Sequence, residues 1–109
     1  MSSAVVTGAG GGLGRAIAIR LAADGHAIAA LDIAEDDAAE TCALIEAAGG
    51  TARPFVVDLR DEATLAATME QATEKLGPLA VLVNNAAVFP SGPFVEVSPA
   101  EYDLSRIHI

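Results

Sequence analysis

Five of the seven residues from Gly8 to Gly14 are glycine, between a short apolar run and a segment with helical character. A glycine inside a regular element costs about 0.5–1 kcal/mol relative to alanine, so a cluster of this density needs a physical reason. A helix N-terminus offers unpaired N–H groups and the positive end of a dipole, which together bind phosphate. Glycines allow the backbone to approach a pyrophosphate where a Cβ would collide. The stretch therefore predicts a phosphate-binding turn; the alternative is a tight turn without a ligand.

The spacing of these glycines distinguishes several kinds of phosphate-binding loop. A P-loop ends in Gly-Lys followed by Ser or Thr, whereas Arg and Ala follow Gly14, which excludes that motif. The G-x-G-x-x-G fingerprint needs glycines at its first, third and sixth positions. Starting it at Gly8, Gly10 or Gly12 puts a different residue at the sixth position each time. The pattern present is T-G-x-x-x-G-x-G, beginning at Thr7.

Polar side chains end three further apolar runs. Asp32 ends AIAALD, Asp58 ends RPFVVD, and Asn84 and Asn85 end LAVLVNN. A carboxylate after the second strand of a dinucleotide-binding unit can accept hydrogen bonds from ribose hydroxyls. Each residue also has a structural alternative: Asp32 as an exposed acid, Asp58 as a cap of the following turn, and the asparagines as a tie between strands.

Short apolar runs alternate with segments of helical periodicity, which is typical of βαβ units and a parallel sheet covered on both faces. Right-handed crossovers then give a doubly wound α/β fold of the Rossmann type, with four strands in the order 3-2-1-4 and helices on both faces. Pro54 suits the third strand because this order puts that strand at an edge. The predicted strands cover 4–8, 27–32, 53–58 and 79–85, and the predicted helices 13–24, 35–48 and 61–76.

The pattern changes after residue 85. Two prolines and a glycine in VFPSGPFVEV predict a loop, so the fourth strand is expected to form an outer edge of the sheet. Ser98, Pro99 and Glu101 form a helix-start signal, with an N-cap, a proline at the first helical position and a capping box. We expect that helix to continue to the end of the chain.

Composition limits the class of protein. A chain of 109 residues allows one domain. A net charge of −9 argues against nucleic-acid and anionic-membrane partners, which require basic patches. We find no apolar run of membrane-spanning length and no signal peptide, and the single cysteine cannot form an internal disulfide, so a cytoplasmic location is expected. Cys42 shares a helical stripe with Ala38 and Ile45, which predicts a core position.

The glycine pattern, together with Asp32, Asp58-Leu59 and N-N-A-A at 84–87, resembles the short-chain dehydrogenase/reductase (SDR) family over residues 3 to about 103. Ala87 departs from the family's Asn-Asn-Ala-Gly. The resemblance implies that residues 1–109 are the N-terminal half of a single NAD-binding Rossmann domain. It also implies an NAD(H)-dependent oxidoreductase that interconverts a small-molecule alcohol and a carbonyl by hydride transfer, and that forms a homo-oligomer when complete.

The same resemblance implies a set of residues that contact the cofactor. These are Gly8, Gly10, Gly11, Gly12, Leu13, Gly14, Asp32, Ile33, Asp58, Leu59, Asn85 and Ala86. NAD is expected rather than NADP because the 2′-phosphate of NADP would lie where Asp32 is. Two unit charges 4 Å apart repel by about 1 kcal/mol in water and about 4 kcal/mol at an effective dielectric of 20. NADP-preferring relatives often carry a basic residue at the position of Gly11.

No catalytic residue is assigned. SDR enzymes use a Tyr-x-x-x-Lys pair, but Tyr102 is followed four residues later by Arg106 and lies in the wrong part of the chain. The family's catalytic Ser, Tyr and Lys belong to later elements outside these 109 residues, so the chain is expected to be inactive alone. The last six residues, LSRIHI, lack the helical asparagine of the family and are expected not to be native.

No metal site is expected, because no Cys/His cluster has metal-ligand spacing, and neither His26 nor His108 is given a role. Two other functions stay open. A dinucleotide-binding module without chemistry would share every feature of these residues. A class I methyltransferase also has a glycine loop and an acid after its second strand, but would be expected to carry an acidic or Asn-Pro-Pro-type motif after strand 4.

Overall fold

The computed structural model describes residues 1–85 in full and the strand backbone of 94–97 and 106–108. The described elements alternate between strands and helices up to residue 84. In chain order they are β1 (Ser3–Thr7), α1 (Gly12–Ala23), β2 (Ala27–Asp32), α2 (Glu35–Ala47), β3 (Ala52–Val56), α3 (Glu62–Leu76), β4 (Leu79–Asn84), β5 (Phe94–Val97) and β6 (Arg106–His108). The three helices predicted between residues 13 and 76 and the first four strands are therefore confirmed, with shifts of one or two residues at their ends.

The strands form one sheet in the order β3-β2-β1-β4-β5-β6. The first four are parallel and follow the predicted order 3-2-1-4. The register pairs Thr7 at the end of β1 with Leu31 of β2 and with Asn84 of β4. The carboxyl ends of these three strands consequently lie at the same edge of the sheet, where an open α/β sheet binds its ligands.

Beyond β4 the structure differs from the sequence prediction. Part of the predicted loop is β5, which pairs antiparallel with β4, and β6 pairs antiparallel with β5. Residues 106–108 are therefore a strand and do not continue a helix, and β4 is not an edge of the sheet. Pairing satisfies the backbone N–H and C=O groups that an unpaired β4 would leave exposed. The predicted helix start at 98–101, and residues 86 and 87, lie outside the described residues.

Apolar side chains cover both faces of the sheet. On one face α1 and α2 pack against β-strand residues such as Val6, Ile28 and Val83, all fully buried. On the other face, α3 packs against β2 and β1 and buries its residue Ala72 against the sheet. The helix also contacts this second core through Leu65, Met69 and Leu76. Helices on both faces confirm the doubly wound arrangement.

Two local predictions are also confirmed. β3 is an edge strand, so the lack of an N–H at Pro54 costs no hydrogen bond to a further strand. Cys42 is buried in the core between α2 and the sheet. Burial, and to a smaller degree the nearby charge of Glu46, raises the pKa of the Cys42 thiol to about 11, so this cysteine is an unreactive core side chain.

The first turn of α1 approaches β1 and β4 through Gly14. A Cβ at this position would collide with the carbonyl oxygen of Gly8 and lie 2.7 Å from Nδ2 of Asn85. Gly11, by contrast, has extended backbone with φ −170°, and a Cβ there would meet no atom within 4 Å. Gly14 therefore has no room for a side chain, whereas Gly11, three residues earlier, has room for one.

We expect Gly14→Ala to lower the free energy of unfolding by about 1–3 kcal/mol or more, because the added methyl must displace backbone. Gly11→Ala should leave it within about 1 kcal/mol of the wild-type value, since its backbone conformation suits alanine. Urea unfolding followed by circular dichroism measures both. Equal stability of the two variants would contradict the packing of α1 described above.

Candidate functional site

The carboxylate of Asp32 connects the turns after β1 and β2. Its Oδ2 accepts a hydrogen bond from the N–H of Gly10 at 2.8 Å, and its Oδ1 accepts one from the N–H of Ala34 at 2.9 Å. An ionised carboxylate has about four acceptor positions, so it can still accept bonds from a ligand hydroxyl. Asp32 is therefore not the exposed acid of the structural alternative: it is half-buried and holds the glycine loop.

A second set of hydrogen bonds joins the end of β1 to the end of β4. The hydroxyl of Thr7 donates to Oδ1 of Asn84 at 3.1 Å and accepts from the N–H of Asn85 at 3.0 Å. Nδ2 of Asn85 lies 3.4 Å from the carbonyl oxygen of Gly8, to which it donates. Asn84 thus has the strand-joining role considered from the sequence, and Asn85 contacts the first residue of the loop.

The glycine loop is closely packed on the side of α2 and open on the other. A Cβ on Gly10 would lie 2.7 Å both from Oδ2 of Asp32 and from Cβ of Asp37. At Gly11 and Gly12 it would meet nothing within 4 Å. Gly12 also has a φ of +54°, which favours glycine. The backbone is therefore exposed at the start of α1, where a ligand can approach it.

The N-terminus of α1 is left without a negative partner. Its N-cap is Gly11, which makes no side-chain cap, and its first turn contains no acidic residue. The other two described helices differ, since Asp61 caps α3 with a 3.1 Å bond from the N–H of Thr64, and α2 has three acids in its first turn. No described side chain caps this helix end and its first turn has no acid. The positive end of the α1 dipole is consequently available to a bound anion.

A cavity of about 230 Å³ lies at the carboxyl ends of β1, β2 and β3. Pockets that enclose a whole drug-sized ligand have volumes of about 300–1,000 Å³, so this cavity suits one end of a longer molecule. Five predicted site residues line it, namely Gly8, Asp32, Ile33, Asp58 and Leu59, and they are joined by Leu31, Val57 and Arg60.

Asp58 at the mouth of this cavity is paired with Arg60. The guanidinium donates to both carboxylate oxygens, with Nε at 3.0 Å from Oδ1 and a terminal nitrogen at 2.8 Å from Oδ2. The backbone N–H of Arg60 also donates to Oδ1. Hydrogen bonding from Arg60 holds the pKa of Asp58 at about 2. Asp58 is thus an ionised acceptor, and its backbone carbonyl also closes the turn before α3 through the N–H of Asp61.

Three residues of the site were given no role from the sequence: Arg15, which served only to exclude a P-loop, Thr41 and Arg60. Arg15 and Thr41 lie between the glycine loop and α2, where their side chains hydrogen-bond to each other and to loop carbonyls. Arg60 was missed as well, although its position two residues after Asp58 was a usable local signal. Thr41 had no such signal, because its partner lies 32 positions away in the chain.

The structure brings most of the predicted cofactor-binding residues together at one edge of the sheet. Gly10 contacts Asp32, Asn85 contacts Gly8, and Leu13 is exposed at the start of α1. Ala86 lies outside the described residues. Within the described part of the chain, no group of three or more His, Cys, Asp or Glu could hold a metal ion. Nor is any helix there long and apolar enough to cross a membrane.

Comparison with known proteins gives a family match over nearly the whole chain. The family model described as short chain dehydrogenase matches residues 2–107, which includes four residues of the LSRIHI tail. L-2,3-butanediol dehydrogenase of Corynebacterium glutamicum is 45% identical over 107 residues, covering 96% of this chain and 41% of that protein. The chain thus spans about two-fifths of the length of this relative.

Solved structures agree with this match. Carveol dehydrogenase from Mycobacterium avium, in complex with NAD, has a TM-score of 0.74 and 33% identity over 78% of this chain and 35% of its own. A metagenomic short-chain oxidoreductase in complex with NADP has a TM-score of 0.75 and 36% identity over 80% of this chain and 39% of its own. The methyltransferase alternative is not retained. The glycine turn, Asp32 and the parallel sheet that positions them are those of the short-chain dehydrogenase/reductase family, to which this chain belongs.

Proposed function

We propose that this chain binds NAD(H) and forms the cofactor-binding half of an oxidoreductase that interconverts an alcohol and a carbonyl compound. The observation that carries the proposal is the uncapped, acid-free N-terminus of α1 immediately beside the carboxylate of Asp32. The first feature suits a pyrophosphate and the second suits the hydroxyls of a ribose. The neighbouring cavity, lined by Ile33 and Leu59, would then hold the adenine.

The charges around the ribose position favour NAD over NADP. A 2′-phosphate would meet the carboxylate of Asp32 and the acidic first turn of α2, which contains Asp37. Arg15 lies nearby, but its guanidinium already donates to Thr41 and to backbone carbonyls, and its charge is 3.5 Å from Glu40. Arg60, which lines the same cavity as Asp32, donates to both carboxylate oxygens of Asp58. Both cations are therefore engaged within the protein, which leaves the repulsion by Asp32 uncompensated.

The nicotinamide, when bound, supplies the hydride donor or acceptor of the reaction. The residues of this chain hold the other end of the molecule: the start of α1 binds the pyrophosphate and Asp32 orients the ribose. No described residue is assigned to proton transfer. The alcohol or carbonyl substrate and the acid–base chemistry are therefore proposed for the whole protein and not for residues 1–109 alone. A dinucleotide-binding module without chemistry stays the alternative. Homo-oligomerisation and a cytoplasmic location stay predictions from the sequence.

We expect NAD to bind at least fivefold more tightly than NADP, because a repulsion of about 1 kcal/mol is the lower bound at this separation. Asp32→Asn should narrow this ratio, since it removes the charge but keeps the size of the side chain and one acceptor oxygen. Isothermal titration calorimetry with both cofactors measures the ratio, using the complete reading frame that contains residues 1–109.

The matched control is Asp24→Asn, which makes the same charge change at the C-cap of α1, the far end of that helix. It should leave the NAD/NADP ratio unchanged. Equal or tighter binding of NADP by the wild-type protein would contradict the assigned preference. Failure to bind either cofactor would overturn the proposed function.

The Asp58–Arg60 pair makes a pH prediction. The folded-state pKa of Asp58 lies below its ordinary value of 3.8, so its ionised form persists until the pH falls toward about 2. Any stability that its pairing contributes is fully present above about pH 3.8 and is lost as the pH falls from there through about 2. Arg60→Gln should return the pKa of Asp58 toward 3.8. Carboxyl-carbon NMR between pH 7 and 2.5 measures this shift, and Arg20→Gln, which removes the partner of Asp24, is the control. An unchanged Asp58 titration in Arg60→Gln would refute the pairing.

A further inference from the structure

We propose that Arg15 and Thr41 are positioning residues that fasten the glycine loop to α2 and thereby aim its N–H groups at the cofactor pyrophosphate. This inference rests on the proposed function, because it assigns a purpose to the orientation of the loop. Neither side chain faces the ligand itself. Both act through the two peptide groups that join Ala9, Gly10 and Gly11.

Thr41 holds the first of these peptide groups. Its side chain is fully buried on α2, and its hydroxyl donates to the carbonyl oxygen of Ala9 at 2.7 Å. The other face of the same peptide is held by Asp32, which accepts from the N–H of Gly10 at 2.8 Å. The C=O and N–H of a trans peptide point in opposite directions. The Ala9–Gly10 peptide is therefore fixed between a donor on α2 and an acceptor at the end of β2.

Arg15 holds the second peptide group. Its terminal nitrogen donates to the carbonyl oxygen of Gly10 at 2.6 Å, and its Nε donates to the hydroxyl of Thr41 at 2.9 Å. The same terminal nitrogen is 3.3 Å from the carbonyl oxygen of Asp37. Contacts with α2 thus orient the guanidinium that bonds to the loop. The side chain of Arg15 is only 24% exposed.

These hydrogen bonds determine the direction in which the N–H of Gly11 points. Because the carbonyl of Gly10 points at Arg15, this N–H points away from Arg15 and toward the open side of the loop. None of the hydrogen bonds within the described residues uses it. Glycine loses more conformational entropy on ordering than any other residue. If the loop were not held in place, ordering these peptide groups would reduce the free energy of cofactor binding. The Arg15–Thr41 pair fixes them before the ligand arrives.

The test separates the pyrophosphate from the adenosine. Thr41→Val keeps the shape of the side chain and removes the hydroxyl, and Thr41→Ser restores it. In the complete reading frame, Thr41→Val should bind NAD and ADP-ribose about tenfold more weakly, the effect of one lost bond to a buried carbonyl. Binding of adenosine, which lacks the pyrophosphate, should change less than about twofold. Thr41→Ser should recover most of the affinity for ADP-ribose.

Thr68→Val is the matched control, because Thr68 is a buried threonine whose hydroxyl donates to a carbonyl within α3, that of Thr64. It should leave all three affinities unchanged. Arg15→Met is the second variant if Thr41→Val fails to fold, and it should show the same selective loss of ADP-ribose binding. Amide hydrogen exchange without ligand should become faster at Gly10 in both loop variants.

The outcomes distinguish the two proposals. If the wild-type protein binds neither NAD nor ADP-ribose, the proposed function fails and the positioning role falls with it. If the wild-type protein binds both, and Thr41→Val and Arg15→Met bind them equally well, only the positioning role is overturned. An equal loss of adenosine and ADP-ribose binding would also overturn it, because that result indicates general damage to the fold.

Discussion

The carboxylate of Asp32 accepts hydrogen bonds from two backbone N–H groups on different turns, Gly10 after β1 and Ala34 after β2. This shared acceptor depends on the parallel register that sets the ends of β1 and β2 side by side. It also explains why residue 10 is glycine, since a Cβ there would collide with the carboxylate. This contact holds the N–H side of the Ala9–Gly10 peptide, whose carbonyl is held by Thr41, and the loop stays open beside Gly11.

The charge near the N-terminus differs among the three described helices. Three helices of the described chain begin near polar loops, yet only α1 begins without a cap or an acidic first turn. An anion is therefore attracted to α1, whereas the three acids of the first turn of α2 repel it. Asp32 lies between these two helix ends. In the function proposed above, this arrangement would accept a pyrophosphate beside a neutral ribose and disfavour a further phosphate on that ribose.

Local signals in the sequence were sufficient for the parallel half of the fold. Short apolar runs, and helical periodicity such as the stripe of Ala38, Cys42 and Ile45, each depend only on neighbouring residues. The antiparallel β5 was missed because Pro93 and Gly92 near its start are typical of loops, and because its pairing with β4 depends on an edge that only the assembled sheet presents.

The same distinction applies to the site. The glycines and Asp32 were identified because their types and spacing carry a motif, and Asp58 because it follows a strand. Arg15 and Thr41 were not identified, because their role depends on α2 packing beside the glycine loop, which no local pattern encodes. Hydrogen bonds between side chains and carbonyl groups that are distant in the sequence can be identified only from the packed structure.

The central claim is that a dinucleotide lies with its pyrophosphate on the start of α1 and its adenosine beside Asp32 and Leu59. Amide NMR shift mapping of the complete reading frame, titrated in parallel with adenosine and with NAD, tests it most directly. We expect adenosine to shift the amide signals near Asp32 and Leu59, and NAD to add large shifts at Gly11 and Leu13. Shifts that instead cluster in the groove at the other end of α1, near Ile19 and Gly49, or that leave Gly11 and Leu13 unchanged with NAD bound, would contradict it.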